Sequence, residues 1–180
     1  MPDSVPPDRL QIDYGTYYVM SGDYGITEDE VLGGMGTDVT HGVPNGLLVP
    51  GSGAAVKIRT GHQFGWIALD VRVLDSEPAD DLGDWEAVEQ ATIRPDTEFQ
   101  VFDHQYEWQE QFPDLTGSCR TEFLAIRVSA CGRDANRGQR GNSPTDPPLE
   151  WHRIEAWPVT APALRVVLRR DETTHYWENA

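Results

Sequence analysis

Runs in which apolar residues recur at every second position, cut short by Gly and Pro, dominate this 180-residue chain and leave it little but β-structure to adopt. Leu10, Ile12, Tyr14, Tyr18 and Met20 share one parity, which predicts a half-buried strand over residues 10–20. Ala54, Val56 and Ile58 would form the inner face of a second strand over 54–59, and Ile67, Leu69, Val71 and Val73 that of a third over 64–74. The linker 60–63, with Gly61, has the length of a hairpin loop, so these two strands are expected to pair as a hairpin. Weaker alternation over 85–93 stops before Arg94 and Pro95, since proline offers no N–H to a ladder; helix is the rival reading there. Further strands are expected over 98–102, 121–130, 151–157 and 163–169, with Pro158 halting the third of these and Leu164, Val166 and Leu168 facing inward on the last.

Seven or so short strands with no long helical period point to a mainly β fold: a single-domain antiparallel β-sandwich with long loops and at most short helices. The length suits one domain over 1–180. Residues 1–8 are proline-rich and read as a flexible N-terminus. Residues 21–50 form a long glycine-rich loop, in which Thr27 and Glu30 have capping-box spacing for a short helical turn. Residues 132–150 (GRDANRGQRGNSPTDPPLE) hold almost nothing apolar to offset their ordering entropy and are expected to be a mobile excursion. A helical turn is expected over 171–177, and no internal repeat is present.

No apolar run approaches the roughly 18 residues of a membrane span, and the start lacks a basic region followed by an apolar one, so a cytoplasmic protein is expected. Cys119 and Cys131 have no C-x-x-C spacing and are read as reduced thiols.

Charge then narrows the partners. Asp and Glu number 30 against 14 Lys and Arg, for a formal charge of −16. Residues 75–98 alone carry nine carboxylates and one Arg. Such a surface repels nucleic acid and anionic membranes and attracts a basic protein over a Debye length of roughly 8–10 Å. Asp75, Glu77, Asp80, Asp81, Asp84, Glu86 and Glu89 are therefore the candidate docking carboxylates, with a solubilising edge as the ordinary alternative. The run 103–112 adds Tyr106 and Trp108 as candidate anchors, because interfaces favour such rings at their centres; a core aromatic pair is the ordinary alternative. Arg133, Arg137 and Arg140 would clamp an anion or simply compensate nearby acids.

Catalytic signatures are missing from the sequence. His41, His62, His104, His152 and His175 stand singly, without H-x-H or H-x-x-x-H spacing, and no calcium-loop pattern occurs; Asp80, Asp81 and Asp84 read as a solvated acidic loop, with a trapped calcium ion as the alternative. Gly51-Ser52-Gly53 lacks the full nucleophile elbow, and Gly33 to Gly36 lacks the Lys-Ser/Thr ending of a phosphate loop. No pair among the 30 carboxylates can be singled out for glycoside hydrolysis. The expectation is a non-enzymatic binding module with no catalytic residue, metal or cofactor. Its rival is a small-molecule or carbohydrate-binding or hydrolytic sandwich using carboxylates under the 21–50 loop, and a structural or oligomeric module is a third possibility.

The order of elements also resembles a known family. The features that carry it are Leu10-x-Ile12-x-Tyr14 with Tyr18 and Val19, the segments from Gly53 to Ile58 and from Phe64 to Leu69, Trp85-Glu86-x-Val88, and Ile126-Arg127-Val128. This layout resembles the competence protein J family, and more closely a group of uncharacterised actinobacterial proteins. Competence protein J is a small acidic inhibitor of a DNA-entry nuclease, so the resemblance implies a cytoplasmic protein that neutralises a basic nuclease by binding it. The 21–50 loop and the 132–150 insertion depart from the pattern, and no family binding residue carries over to a position here.

Overall fold

The structure, a computed structural model, describes residues 8–21, 46–50, 55–79, 82–95, 97–117, 122–139, 141–163 and 166–178. Ten strands are described: β1 (Asp8–Ile12), β2 (Thr16–Ser21), β3 (Leu48–Pro50), β4 (Ala55–Arg59), β5 (Gly65–Val73), β6 (Ala87–Ile93), β7 (Phe99–Phe102), β8 (Phe123–Cys131), β9 (Trp151–Val159) and β10 (Val166–Arg169). Two short helices, α1 (Arg133–Asn136) and α2 (Glu172–Glu178), are also found among the described residues. The strands form a six-stranded sheet in the order β1-β5-β9-β8-β6-β10 and a four-stranded sheet in the order β3-β4-β2-β7. Both sheets contribute to one core, in which Tyr17, Val19, Val56, Ile58, Phe99 and Val101 meet Leu10, Ile12, Ile67, Leu69, Ile126, Val128, Ile154 and Ala156. This is a β-sandwich with at most short helices, and period-two burial is its cause. Among the described residues no helix is long and apolar enough to cross a membrane.

Several local expectations need correction. Residues 10–20 are not one strand. The chain breaks at Tyr14 (φ 55) and Gly15 (φ 69), a left-handed pair of the kind that closes a two-residue turn, and passes from one sheet to the other. The break resets the parity: Leu10 and Ile12 face the core before it, and Tyr17 and Val19 after it. Tyr18 and Met20 belong instead to a small second cluster with Phe102, packed by Ala55 and Tyr106.

The expected hairpin is likewise a crossing, since β4 pairs with β2 and β3 whereas β5 pairs with β1 and β9. The β5/β9 pair is parallel, with Ala68 opposite Trp151 and Val73 opposite Ala156. Side-chain alternation is the same for either strand direction, so the pattern could not announce it. Strand β9 runs through Pro158 to Val159, and Val166 and Leu168 on β10 are exposed at the sheet edge rather than inward.

Instead of the loose excursion expected over 132–150, the described residues of that stretch are tied to the body. Arg133 is buried, the Asn136 side chain donates to the carbonyls of Gly132 and Leu149, and Asn142 Oδ1 accepts the N–H of Trp66. Asp134 accepts the N–H groups of Glu172 and Thr173, fastening the start of α2 to α1. Polar bonds here supply the ordering that apolar burial supplies elsewhere. The expected helical turn at 27–32 and most of the 21–50 loop lie outside the described residues, as does Cys119. Cys131 is a free thiol whose pKa is pushed up to about 11 by burial, which leaves it protonated and unreactive near neutrality.

The close fit of this segment gives a test. A Cβ on Gly61 would run into the backbone of Arg133. Gly61→Ala is expected to lower stability by about 2 kcal/mol in urea titrations, as overpacking does. A change of no more than a few tenths would mean that α1 does not press on the 60–63 corner in solution.

Candidate functional site

Two chain crossings lie side by side at one end of the sandwich. Residues 13–16 carry β1 into β2, and residues 60–64 carry β4 into β5. The N–H of Gly15 donates to the carbonyl of Gln63 at 3.0 Å, and that of Thr60 to the carbonyl of Gly15 at 2.9 Å. Thr60 Oγ1 donates to the carbonyl of His62 at 2.7 Å, holding the second crossing in its turn. The inner side of this double corner is polar and its outer side aromatic.

On the inner side Glu150, just ahead of β9, is completely buried. Its carboxylate accepts the N–H of Gly61 at 3.0 Å on each oxygen, Nδ1 of His62 at 2.8 Å and Nε2 of His152 at 2.7 Å. Burial alone would raise its pKa, but the hydrogen bonds and charges of the two histidines hold it well below the usual carboxylate range. A carboxylate only accepts, so both imidazoles must donate to it, and Nδ1 of His152 is left to accept the Tyr17 hydroxyl at 2.9 Å. Tyr17 is kept protonated by burial and by Glu150, its pKa raised well above normal. Burial also depresses the pKa of His152, outweighing the pull of Glu150. Beside them Arg133 is buried, donating from Nη1 to Asp171 at 3.2 Å and to Thr174 at 3.1 Å.

The chain Tyr17–His152–Glu150–His62 has the connectivity of a catalytic relay, yet Tyr17 is completely buried and held as a neutral donor. Nε2 of His62 and Nε and Nη2 of Arg133 are also buried, with no hydrogen-bond partner among the described residues. Groups sealed from solvent cannot receive a substrate in this arrangement. Their chemistry is to lock the corner, joining Tyr17 of one sheet to Glu150 and His152 of the other. Sequence reasoning missed this network because it sought paired histidines close in sequence. The available signal was parity: Glu150, His152, Ile154 and Ala156 alternate onto one buried face.

On the outer side Tyr14 is 75% exposed and Phe64 39%, and Trp108, in the stretch after β7, is 50% exposed. The rings of Tyr14 and Phe64 meet edge to face at 5.4 Å, and Tyr14 lies 5.8 Å from the ring of His104, whose Nε2 pairs with Asp13 at 3.3 Å. A left-handed backbone costs a bulky L-residue on the order of 1–2 kcal/mol. Tyr14 bears that strain while its ring projects into water. Trp108 bridges to Phe102 beyond the turn that follows β7. Tyr106 is not an exposed anchor: it is partly buried, 5.0 Å from the ring of Tyr18.

The sequence-selected carboxylates divide. Asp75 and Asp84 are exposed, and no hydrogen bond or ion pair among the described residues engages them. Glu77 reaches Arg127 at 3.5 Å, and Glu86 accepts the N–H of Gly132 at 2.7 Å. Glu89 is removed from the docking surface, because it is fully buried and accepts the N–H groups of Leu47 and Leu48 at 2.9 Å each. Its parity with Ala87, Ala91 and Ile93 explains why. Asp80 and Asp81 lie outside the described residues, as does Arg140. Arg133 and Arg137 form no anion clamp: the first is buried against Asp171, and the second lies over the ring of Tyr176. Among the described residues no group of three or more His, Cys, Asp or Glu is arranged to hold a metal ion.

Set against family models, curated proteins and solved structures, the chain matches none of them.

The inner network predicts acid lability. The depressed folded pKa of His152 contributes stability that is present above its unfolded value of about 6.5 and is lost as pH falls through the folded pKa. Glu150, also depressed, contributes stability present above about 4.5 and lost below it. Urea midpoints are expected to fall in two stages, the first as pH drops below about 6.5 and the second below about 4.5, and His152→Gln should flatten the first stage. Glu150→Gln, which turns an amide N–H toward existing donors, should cost about 2–4 kcal/mol at pH 7.5. A midpoint unchanged from pH 8 to pH 4 would contradict the network.

Proposed function

We propose that this chain is an acidic, non-enzymatic protein-binding module that docks a basic protein, with a nuclease or nuclease toxin as the partner class. The observation that carries the proposal is Tyr14, a bulky residue in left-handed backbone whose ring, beside Phe64, faces solvent. A ring this exposed, touching only Phe64 and His104, gains little burial to offset such strain, and strain of this kind gathers at binding sites. Trp108 adds a second exposed anchor. The charge of −16 and the unengaged Asp75 and Asp84 supply long-range attraction for cationic surface. A nuclease must present such surface to phosphate, and the resemblance to the competence protein J family supports the same partner class.

Capture of retained proteins from the source cell, followed by binding kinetics at two ionic strengths, tests this reading. Tyr14→Asn is the informative variant, because Asn tolerates left-handed backbone. It should raise stability by roughly 0.5–1 kcal/mol while speeding dissociation about tenfold or more. Joint Asp75→Asn and Asp84→Asn should slow association severalfold and flatten its salt dependence, with dissociation less changed. Retention of an acidic partner, or Tyr14→Asn dissociation equal to wild type, would remove the proposal.

A further inference from the structure

The Tyr14 corner can be given a more specific occupant. Elsewhere the chain lays its own arginines on aromatic rings: Arg127 over Trp157 at 5.4 Å, Arg153 over Trp85 at 5.2 Å and Arg137 over Tyr176 at 5.6 Å. Each places a planar guanidinium on a ring face, an attraction that strengthens as water is excluded. Carboxylates or carbonyls complete these contacts, with Arg153 Nε donating to Asp70 at 2.9 Å and Arg127 reaching Glu77. Tyr14 and Phe64 present the same kind of rings, with the imidazole of His104 beside Tyr14. The Tyr14 and Phe64 rings are exposed, Asp13 precedes Tyr14 and pairs with the neighbouring His104, and among the described residues no arginine or lysine stacks on either ring. Asp13 is only partly covered by His104, leaving its carboxylate able to meet a second donor.

We propose that the corner formed by Tyr14, Phe64 and Asp13 is a cradle for an arginine side chain of the basic partner, its guanidinium on the Tyr14 ring and its N–H groups toward Asp13. The charge of the chain favours a cationic occupant. Arginine is selected over lysine by its planar shape, weaker hydration and forked donors, which suit a ring face beside a carboxylate. The position is fixed from beneath, since Gly15 and Gln63, which flank the two rings in sequence, are hydrogen-bonded to each other and the second crossing is held by Glu150.

This inference rests on the docking reading but can be tested without the partner, by titrating the intact protein with hexa-arginine and hexalysine at about 0.15 M salt and following ring resonances of Tyr14 and Phe64. Hexa-arginine is expected to bind about fivefold more tightly than hexalysine, a ratio matching the cation–π contribution at an exposed site. The preference should vanish in Tyr14→Asn, which keeps the turn, and Asp13→Asn should weaken hexa-arginine more than hexalysine. Equal affinities for the two peptides, or a preference that survives Tyr14→Asn, would overturn the cradle. If Tyr14→Asn loosens the captured partner while the peptides show no preference, the arginine assignment falls and the docking reading stands. If it leaves partner dissociation unchanged while the preference holds, the docking reading falls and the cradle stands.

Discussion

One carboxylate, that of Glu150, holds the end of this sandwich together. An ionised group in a protein interior is costly unless its lone pairs are taken up, and here a backbone N–H and two imidazoles do so. Through His152 the same carboxylate reaches Tyr17, so a strand from each sheet is bound into a single hydrogen-bonded set. The apolar core brings the sheets together without direction. Glu150 fixes where the crossings between them sit, and with them the exposed rings of Tyr14 and Phe64.

Acidic residues in this protein do two kinds of work that net charge cannot separate. Glu89, Glu150 and Asp171 are buried and order backbone N–H groups, histidines and a buried arginine, while Asp134, at the surface, holds a helix start. Asp75 and Asp84 face water and shape the long-range field. Mutating acids by their density in the sequence would therefore mix loss of folding with loss of binding.

The sandwich was legible because alternation survives in β4 to β9 and because Gly and Pro mark the strand ends. Strand direction and sheet membership were not, since a period of two is blind to both; hence the parallel β5/β9 pair and the mistaken hairpin. The Tyr14-Gly15 break was written in the sequence as a glycine inside a strand pattern, but the parity shared by Leu10, Ile12, Tyr14, Tyr18 and Met20 masked it. Of the site, Trp108 was readable as an exposed ring. Glu89 was misread because its charge was allowed to outweigh a parity that placed it inward, and Glu150 was passed over as the last residue of a segment expected to be mobile.

The sequence distance spanned by the Glu150 lock has a kinetic meaning. Its contacts to Gly61 and His62 close loops of 89 and 88 residues, and β9 must still slot between β5 and β8. Contacts of such high separation form late and slow folding, because the loop entropy must be met before they contribute. On the ribosome, both crossings emerge long before the residue that locks them. The first half of the chain therefore waits with an unfinished corner, and the exposed rings reach their final setting only when β9 joins the six-stranded sheet.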